Sequence, residues 1–203
     1  MSKQSVAIDD LVLANRILYN QGILDAYGHV SVRDPKHPDR FFLARHMAPG
    51  IVTADDIQTI DLNGNVLGDK RKPYTELFIH AAMFAALPDV HGVVHTHSHS
   101  LIPFGATGTR LQPIWAPAAF LADGAAQFDT RDEFGDTDLM IRTMPLGDAL
   151  VKAIGQKPVV LMRDTAVRWS APRCAKPYFG RSTSKRTRRS RCKRGCSAST
   201  RSP

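Results

Sequence analysis

Apolar positions recur along this chain with two different periods, and the switches between them mark its elements. Ile8, Leu11, Val12, Asn15, Leu18 and Tyr19 approximate the three-to-four spacing of an amphipathic helix, expected over residues 5–24, with Gly22 placed to end it. Tyr27-Gly28-His29 turns into a strand in which Val30 and Val32 share a face, broken by Pro35 and Pro38. A second strand is expected over 40–45, and a short capped turn at Thr53 with Asp55 and Asp56. A hairpin is expected from 58–62 to Val66 and Leu67 around Asn63-Gly64. Leu77, His80, Ala81 and Phe84 return to the helical period, which predicts a helix from Pro73 to Leu87, with Thr75 as N-cap and Pro88 as terminator. Strands are expected over 92–98, 114–120, 138–142 and 158–162, a helix over 145–154, and turns at 102–105 and 107–109. Strands outnumber helices and connections are short. The fold class this predicts is α/β, three-layered, with a central, mostly antiparallel sheet flanked by helices.

One stretch of this pattern carries chemistry. His95 and His97 lie two apart behind Val93-Val94, so on a strand both imidazoles project to one side. Glu76 begins the helix that precedes this strand, and the helix returns the chain beside it. One carboxylate and two imidazoles make three quarters of a tetrahedral divalent-metal site. The plainer reading is a set of hydrogen-bonding histidines; a shared ion gives the clustering of all three residues one cause. His99 falls on the same face, as an outer partner or an exposed strand end. His80 and His91 read as packing or surface histidines.

Composition changes the picture at one place. The apolar fraction, 43%, is ordinary for a globular chain, and no run suggests a membrane span. The start has no apolar leader, which makes a cytoplasmic location the expectation. The net charge of +8 is not spread evenly. Residues 164–203 hold twelve Lys/Arg, one acid and all three cysteines (Cys174, Cys192, Cys196), whereas residues 1–163 hold fifteen Lys/Arg and eighteen acids. A globular domain is therefore expected over 1–163, followed by a basic tail without apolar periodicity. The tail lacks the aromatic interleaving of a base-stacking surface, and Cys192 and Cys196 have no second pair to make a zinc knuckle. A disordered, solvated tail is its plain reading, and nucleic-acid binding the least favoured.

Four motifs occur in order between Ala14 and Arg163: Gly28-His29-Val30-Ser31, the Thr-Glu-x-x-x-His of Thr75 to His80, Val93-Val94-His95-Thr96-His97 and Val159-Val160-Leu161-Met162-Arg163. In these, from Ala14 to Met162, the chain resembles the class II aldolase/adducin family, with its AraD-like, fuculose-phosphate-aldolase-like fold. The resemblance implies a divalent ion, Zn2+ first with Mn2+, Co2+ or Fe2+ as alternatives, held by His95, His97 and a third histidine. It implies that Glu76 binds the resting metal or moves a proton as acid/base. It also implies a homotetramer with sites between subunits, acting on a small molecule by aldol cleavage or decarboxylation. Both reactions leave an enolate that a divalent ion stabilises.

Gly28, His29, Ser31 and Arg45 are the substrate-binding candidates. Sugar-phosphate members cradle phosphate in small Gly/Asn and Ser-Gly loops. Here His29 stands where Asn is usual, and the second loop reads Leu43-Ala44-Arg45-His46. The cationic pair suits a carboxylate or an aromatic acid, and the resemblance is greatest to the decarboxylase branch. The alternative is that Arg45 is a solvated strand-end charge and His29 a turn residue.

The family's third histidine belongs in a Gly-His-Gly after Arg163, yet Asp164-Thr165-Ala166 follows and no histidine occurs after His99. Codons GGA-CAC-GGC encode Gly-His-Gly; with one G dropped they read GAC-ACG-GC, which is Asp-Thr-Ala. Reading 167–188 one base earlier, with permissible third bases, also yields a turn and an amphipathic helix. Residues 164–203 are therefore expected to be frameshift-derived, which resequencing across codon 163 tests: an unbroken reading frame there sinks it. Asp164 could substitute as an oxygen ligand. Loss of the third imidazole would impair a lyase, and a non-catalytic adducin-like interaction module is the competing function. Retention of Glu76, His95 and His97 favours the enzyme.

Overall fold

The computed structural model describes residues 2–163 and the backbone of 167–172. The tail readings at Asp164, the cysteines and 173–203 lie outside the described residues.

Consecutive apolar residues in strands require cover on both faces of a sheet, because alternate side chains point opposite ways. The chain builds this. Helix α1 (Lys3–Asn20) is capped by Ser2, whose hydroxyl accepts from Ser5 N–H, and the chain turns out at Gly22 with φ 66°. Strands β1 (His29–Arg33), β2 (Arg40–Ala44), β3 (Ile57–Asp61) and β4 (Val66–Leu67) form an antiparallel meander. Helix α2 (Leu77–Ala86) returns the chain to β5 (Val90–Thr96), antiparallel to β1. Then come α3 (Ile102–Thr107), β6 (Ala126–Phe128), α4 (Arg131–Phe134), α5 (Met144–Ile154), β7 (Val159–Met162) and β8 (Val167–Pro172). Among the described residues one eight-stranded sheet results, in the order β4-β3-β2-β1-β5-β8-β7-β6, antiparallel except for β6 with β7. The three-layer, mostly antiparallel expectation holds. The sheet takes in β8, past the compositional break at Arg163.

The core divides by face. Phe41, Leu43, Val93, Val160 and Met162 pack with α2 and α5. Phe42, Val30 and Val94 pack with α1, and Val159 and Leu161 with Leu101 and Phe104. Helix α2 is buried over most of its circumference, between the sheet and α5, which is why it is apolar all round. A Cβ on Gly147 would lie 2.7 Å from Ala82 Cβ and from Phe78 O, so only glycine lets α5 sit this close to α2. Arg33 fastens the other end of α2. Its guanidinium donates to the carbonyls of Phe84 (2.7 Å), Leu87 (3.1 Å), Val90 (3.0 Å) and Pro38 (2.6 Å) and lies over the Phe84 ring. The Phe84 and Leu87 carbonyls are orphans of the α2 C-terminus, which a buried cation satisfies.

Two expected strands are not strands. Residues 116–121 form a 3-10 helix, because Pro113 and Pro117 cannot donate to a ladder and Ile114 is fully exposed. Residues 138–142 are irregular, broken by the left-handed Leu139 (φ 64°). The expected turn at 102–105 is part of α3. Helix α2 begins at Leu77, with Glu76 at the N-cap position and no side-chain cap, so Thr75 is not the cap.

Candidate metal centre

β1 and β5 pair His29 with His95 and Ser31 with Val93. Odd-numbered residues of both strands face α2. His95 therefore meets Glu76 at the head of that helix, while His29 and Ser31 meet His80 one turn further along.

Glu76 Oε2 lies 3.3 Å from His95 Nε2, which lies 3.0 Å from His97 Nε2. One ligand atom from each of the three residues falls within 4.8 Å of the others. Ligands about 2.0–2.1 Å from a tetrahedral ion stand about 3.3 Å from one another, so this donor set fits a divalent ion. Glu76 and His95 are buried, whereas the His97 side chain is 21% exposed and marks the open side of the cluster. Glu76 cannot cap α2 because its carboxylate is used here: Oε1 accepts from Ile141 N–H (3.1 Å), leaving Oε2 toward the histidines. The kinked 138–142 segment thus supplies a backbone donor in place of a strand.

His97, one residue beyond β5, is oriented by Asp25. Its Nδ1 is 2.9 and 3.0 Å from the two carboxylate oxygens, so the proton resides on Nδ1 and the Nε2 lone pair faces the cluster. Asp25 is held in turn by Tyr27 N–H (3.0 Å) and Gly28 N–H (2.7 Å). Burial raises the Asp25 carboxyl, but the His97 and backbone hydrogen bonds outweigh it and leave it below its ordinary value. Gly28 is needed for close approach: a Cβ there would meet Leu24 Cδ2 at 2.8 Å and the His95 carbonyl at 3.1 Å.

The substrate-binding candidates separate into two groups. His29 and Ser31 are buried, at 2% and 1% exposure, and both bond His80, through Nε2 at 2.7 Å and Nδ1 at 2.6 Å. The His29 ring stacks on His95 (4.7 Å, 22°) and touches Tyr74 (4.3 Å). Arg45 lies apart and is engaged by Asp56 (2.9 Å), whose other oxygen accepts from the N–H and hydroxyl of Thr53. His46 is exposed, and its ring meets Tyr74 at 5.5 Å. A run of ring contacts therefore joins the Arg45-His46 loop to His95. Tyr74 donates to the Met47 carbonyl, and burial above all pushes its phenol up to about 12. His80, read as a packing or surface histidine, is fully buried and hydrogen-bonded at both nitrogens.

Sequence reasoning missed Asp25, Tyr74 and the Ile141 N–H. Only Asp25 left a signal, an Asp three residues before a glycine, which is the mark of a side-chain-closed turn.

Fold and site together place the chain in a known class. The class II aldolase and adducin N-terminal domain family matches residues 9–167, and the chain belongs to that family. It is 32% identical over 185 residues to the decarboxylase tropJ of Talaromyces stipitatus, covering 83% of this chain and 70% of that protein. It is 28% identical over 172 residues to the 3,4-dihydroxyphthalate decarboxylase of Arthrobacter keyseri, covering 77% and 66%. A solved L-fuculose 1-phosphate aldolase from Glaciozyma antarctica shares the fold, with a TM-score of 0.67, 22% identity and coverage of 83% and 65%. The chain thus spans roughly two thirds of the length of these relatives. No helix among the described residues is long and apolar enough to cross a membrane.

Proposed function

We propose that this chain is a divalent-metal-dependent carbon–carbon lyase of the decarboxylase branch, acting on a small carboxylated aromatic or ring-cleavage substrate. The observation that carries this reading is the spacing of Glu76, His95 and His97, whose closest donor atoms lie at the edge length of a tetrahedral site. The similarity to the Talaromyces and Arthrobacter decarboxylases supports the branch.

Glu76, His95 and His97 would hold the ion, with zinc the first choice for a carboxylate–imidazole donor set. When bound, it supplies Lewis-acid polarisation of a substrate carbonyl, which spreads the negative charge left by C–C cleavage. The chain's own residues do the rest. Asp25 fixes the His97 ring. Glu76 keeps one oxygen on Ile141 N–H and turns the other to the site, where it can bind the ion or carry a proton to or from a substrate carbon. Arg45 and His46 would meet a substrate carboxylate at the far end of the ring contacts, with Arg45 shared with Asp56. Gly28 gives the backbone room, and Ser31 acts behind His29.

A homotetramer and a cytoplasmic location complete the proposal. Exposed Ile114 and Trp115 offer apolar surface for assembly. The test is metal analysis with CO2 release from dihydroxy-aromatic acids, on this chain and on a version with the reading frame restored after codon 163. Metal binding with CO2 release supports the reading. A restored protein that binds no divalent metal defeats it and leaves the adducin-like module.

A further inference from the structure

Leucine does not ordinarily sit at positive φ. Its Cβ crowds the following carbonyl there, so a bulky residue in that region is an outlier held by its surroundings. Leu139, at φ 64°, is the one non-glycine residue with positive φ among the described residues. Residues held in this way collect at functional sites, where the strain serves a geometry. The geometry lies two residues on. Ile141 is fully buried, and its N–H donates to Glu76 Oε1 at 3.1 Å.

Side chains from outside the bend hold it. Leu139 N–H donates to Thr137 Oγ1 at 3.1 Å. Thr137 Oγ1 lies 2.8 Å from the hydroxyl of Thr130, a residue only 2% exposed at the head of α4. Met140 N–H donates to Asp138 Oδ1 (3.2 Å), and Asp138 pairs with Arg142. Apolar alternation at Leu139 and Ile141 by itself asks for a strand, in which the Ile141 N–H would serve a ladder. Turning the chain at Leu139 directs that N–H to the head of α2 instead.

We infer that Thr137 and Leu139 are positioning residues for Glu76. The Thr130–Thr137 pair holds the bend, and the bend aims Ile141 N–H so that the carboxylate is fixed with Oε2 toward His95. Resting on the reading of Glu76 as a ligand, this makes the bend the part that sets which way an oxygen is offered to the ion. A carboxylate turning about its last bond would offer that oxygen only part of the time.

The test reads the Ile141 amide. The full chain, metal-free and labelled with 15N-isoleucine, is followed by hydrogen exchange, and the Ile141 signal is assigned by its loss in Ile141→Leu. Ile60, also fully buried but on β3, reports global opening. Glu76→Met and Thr137→Val should each speed exchange at Ile141 by ~10-fold or more, with Ile60 changed by less than about twofold in Thr137→Val. Thr137→Ser, which keeps the hydroxyl, should retain slow exchange. Leu139→Gly, free to take positive φ, should retain it too, and Leu139→Val, whose β-branch resists that conformation, should lose it. In the frame-restored protein, Thr137→Val should weaken zinc binding about 10-fold and Thr137→Ser should not. The inference is overturned if Ile141 exchanges as slowly as before in Glu76→Met or Thr137→Val. It is equally overturned if Ile141 and Ile60 quicken together in Thr137→Val, which is ordinary loss of stability, or if Thr137→Val binds zinc unchanged. The expected exchange pattern in a protein that binds no zinc would end the lyase reading alone, and its absence in one that binds zinc would end the role of the bend alone.

Discussion

The centre of the molecule and its 109–122 segment treat polar and apolar groups in opposite ways. Around α2, β1 and β5, His29, Ser31, Arg33, Glu76, His80 and His95 are all at most 9% exposed. In the 109–122 segment Ile114, Trp115 and Phe120 are 100%, 71% and 51% exposed. Buried polar groups survive only when hydrogen-bonded, so each one in the centre constrains its neighbours. Exposed apolar groups constrain nothing within the chain. The centre should therefore respond strongly to single substitutions and the segment weakly.

The largest expected effect is on the ion. His95→Ala removes the donor shared by both short separations and should lower zinc affinity by more than ~100-fold in the frame-restored protein. Isothermal titration measures it, and unchanged affinity would place the ion elsewhere. Next is Arg33→Met, which withdraws one cation from four carbonyls. A loss of about 3 kcal/mol in urea unfolding is expected; a loss under about 1 kcal/mol would mean that water replaces the clasp.

Tyr74 gives the centre a pH signature. Its phenol is raised from 10.0 to about 12, so the folded state favours the neutral ring. The corresponding stability, about 2–3 kcal/mol, is fully present below pH 10 and lost as pH rises from 10 through about 12. Urea titrations across that range should show the decline in the unsubstituted protein and not in Tyr74→Phe. Asp25→Asn should keep the fold yet weaken zinc binding about 10-fold or somewhat more, since it removes the acceptor that orients His97. The smallest effect belongs to the segment: Trp115→Ser should change the unfolding free energy of the separated chain by no more than about 0.5 kcal/mol. Sedimentation should show a smaller species if that surface joins copies; a large loss of stability would erase the contrast between the two regions.

How far the centre was legible follows from how local its causes are. Glu76, His95 and His97 could be grouped because a two-residue strand period and one helix suffice to bring them together. Asp25 could not be, since its partner is 72 positions away and the pairing exists only once the α1–β1 turn packs beside the end of β5. His80 looked like packing because a helix period records burial and not the two strand residues it will bond. The strand expected at 138–142 failed because alternation alone does not foresee Leu139 at positive φ, nor that Ile141 N–H is spent on Glu76. The parallel β6 was missed because three residues carry too little pattern.

The sequence by itself determined which faces are apolar, where the elements change, and that a carboxylate and two imidazoles lie on the inner side of one strand and helix. These are consequences of side-chain period and of proline and glycine, and need no partner to be read. Tertiary structure alone decided which polar groups support that cluster. The His29–His95 register, the Asp25 clasp on His97 and the Ser31–His80–His29 chain are contacts between segments far apart in the chain. Their geometry is fixed by how β1, β5 and α2 pack, and a hydrogen bond with an acceptor dozens of residues away has no signature in a local pattern.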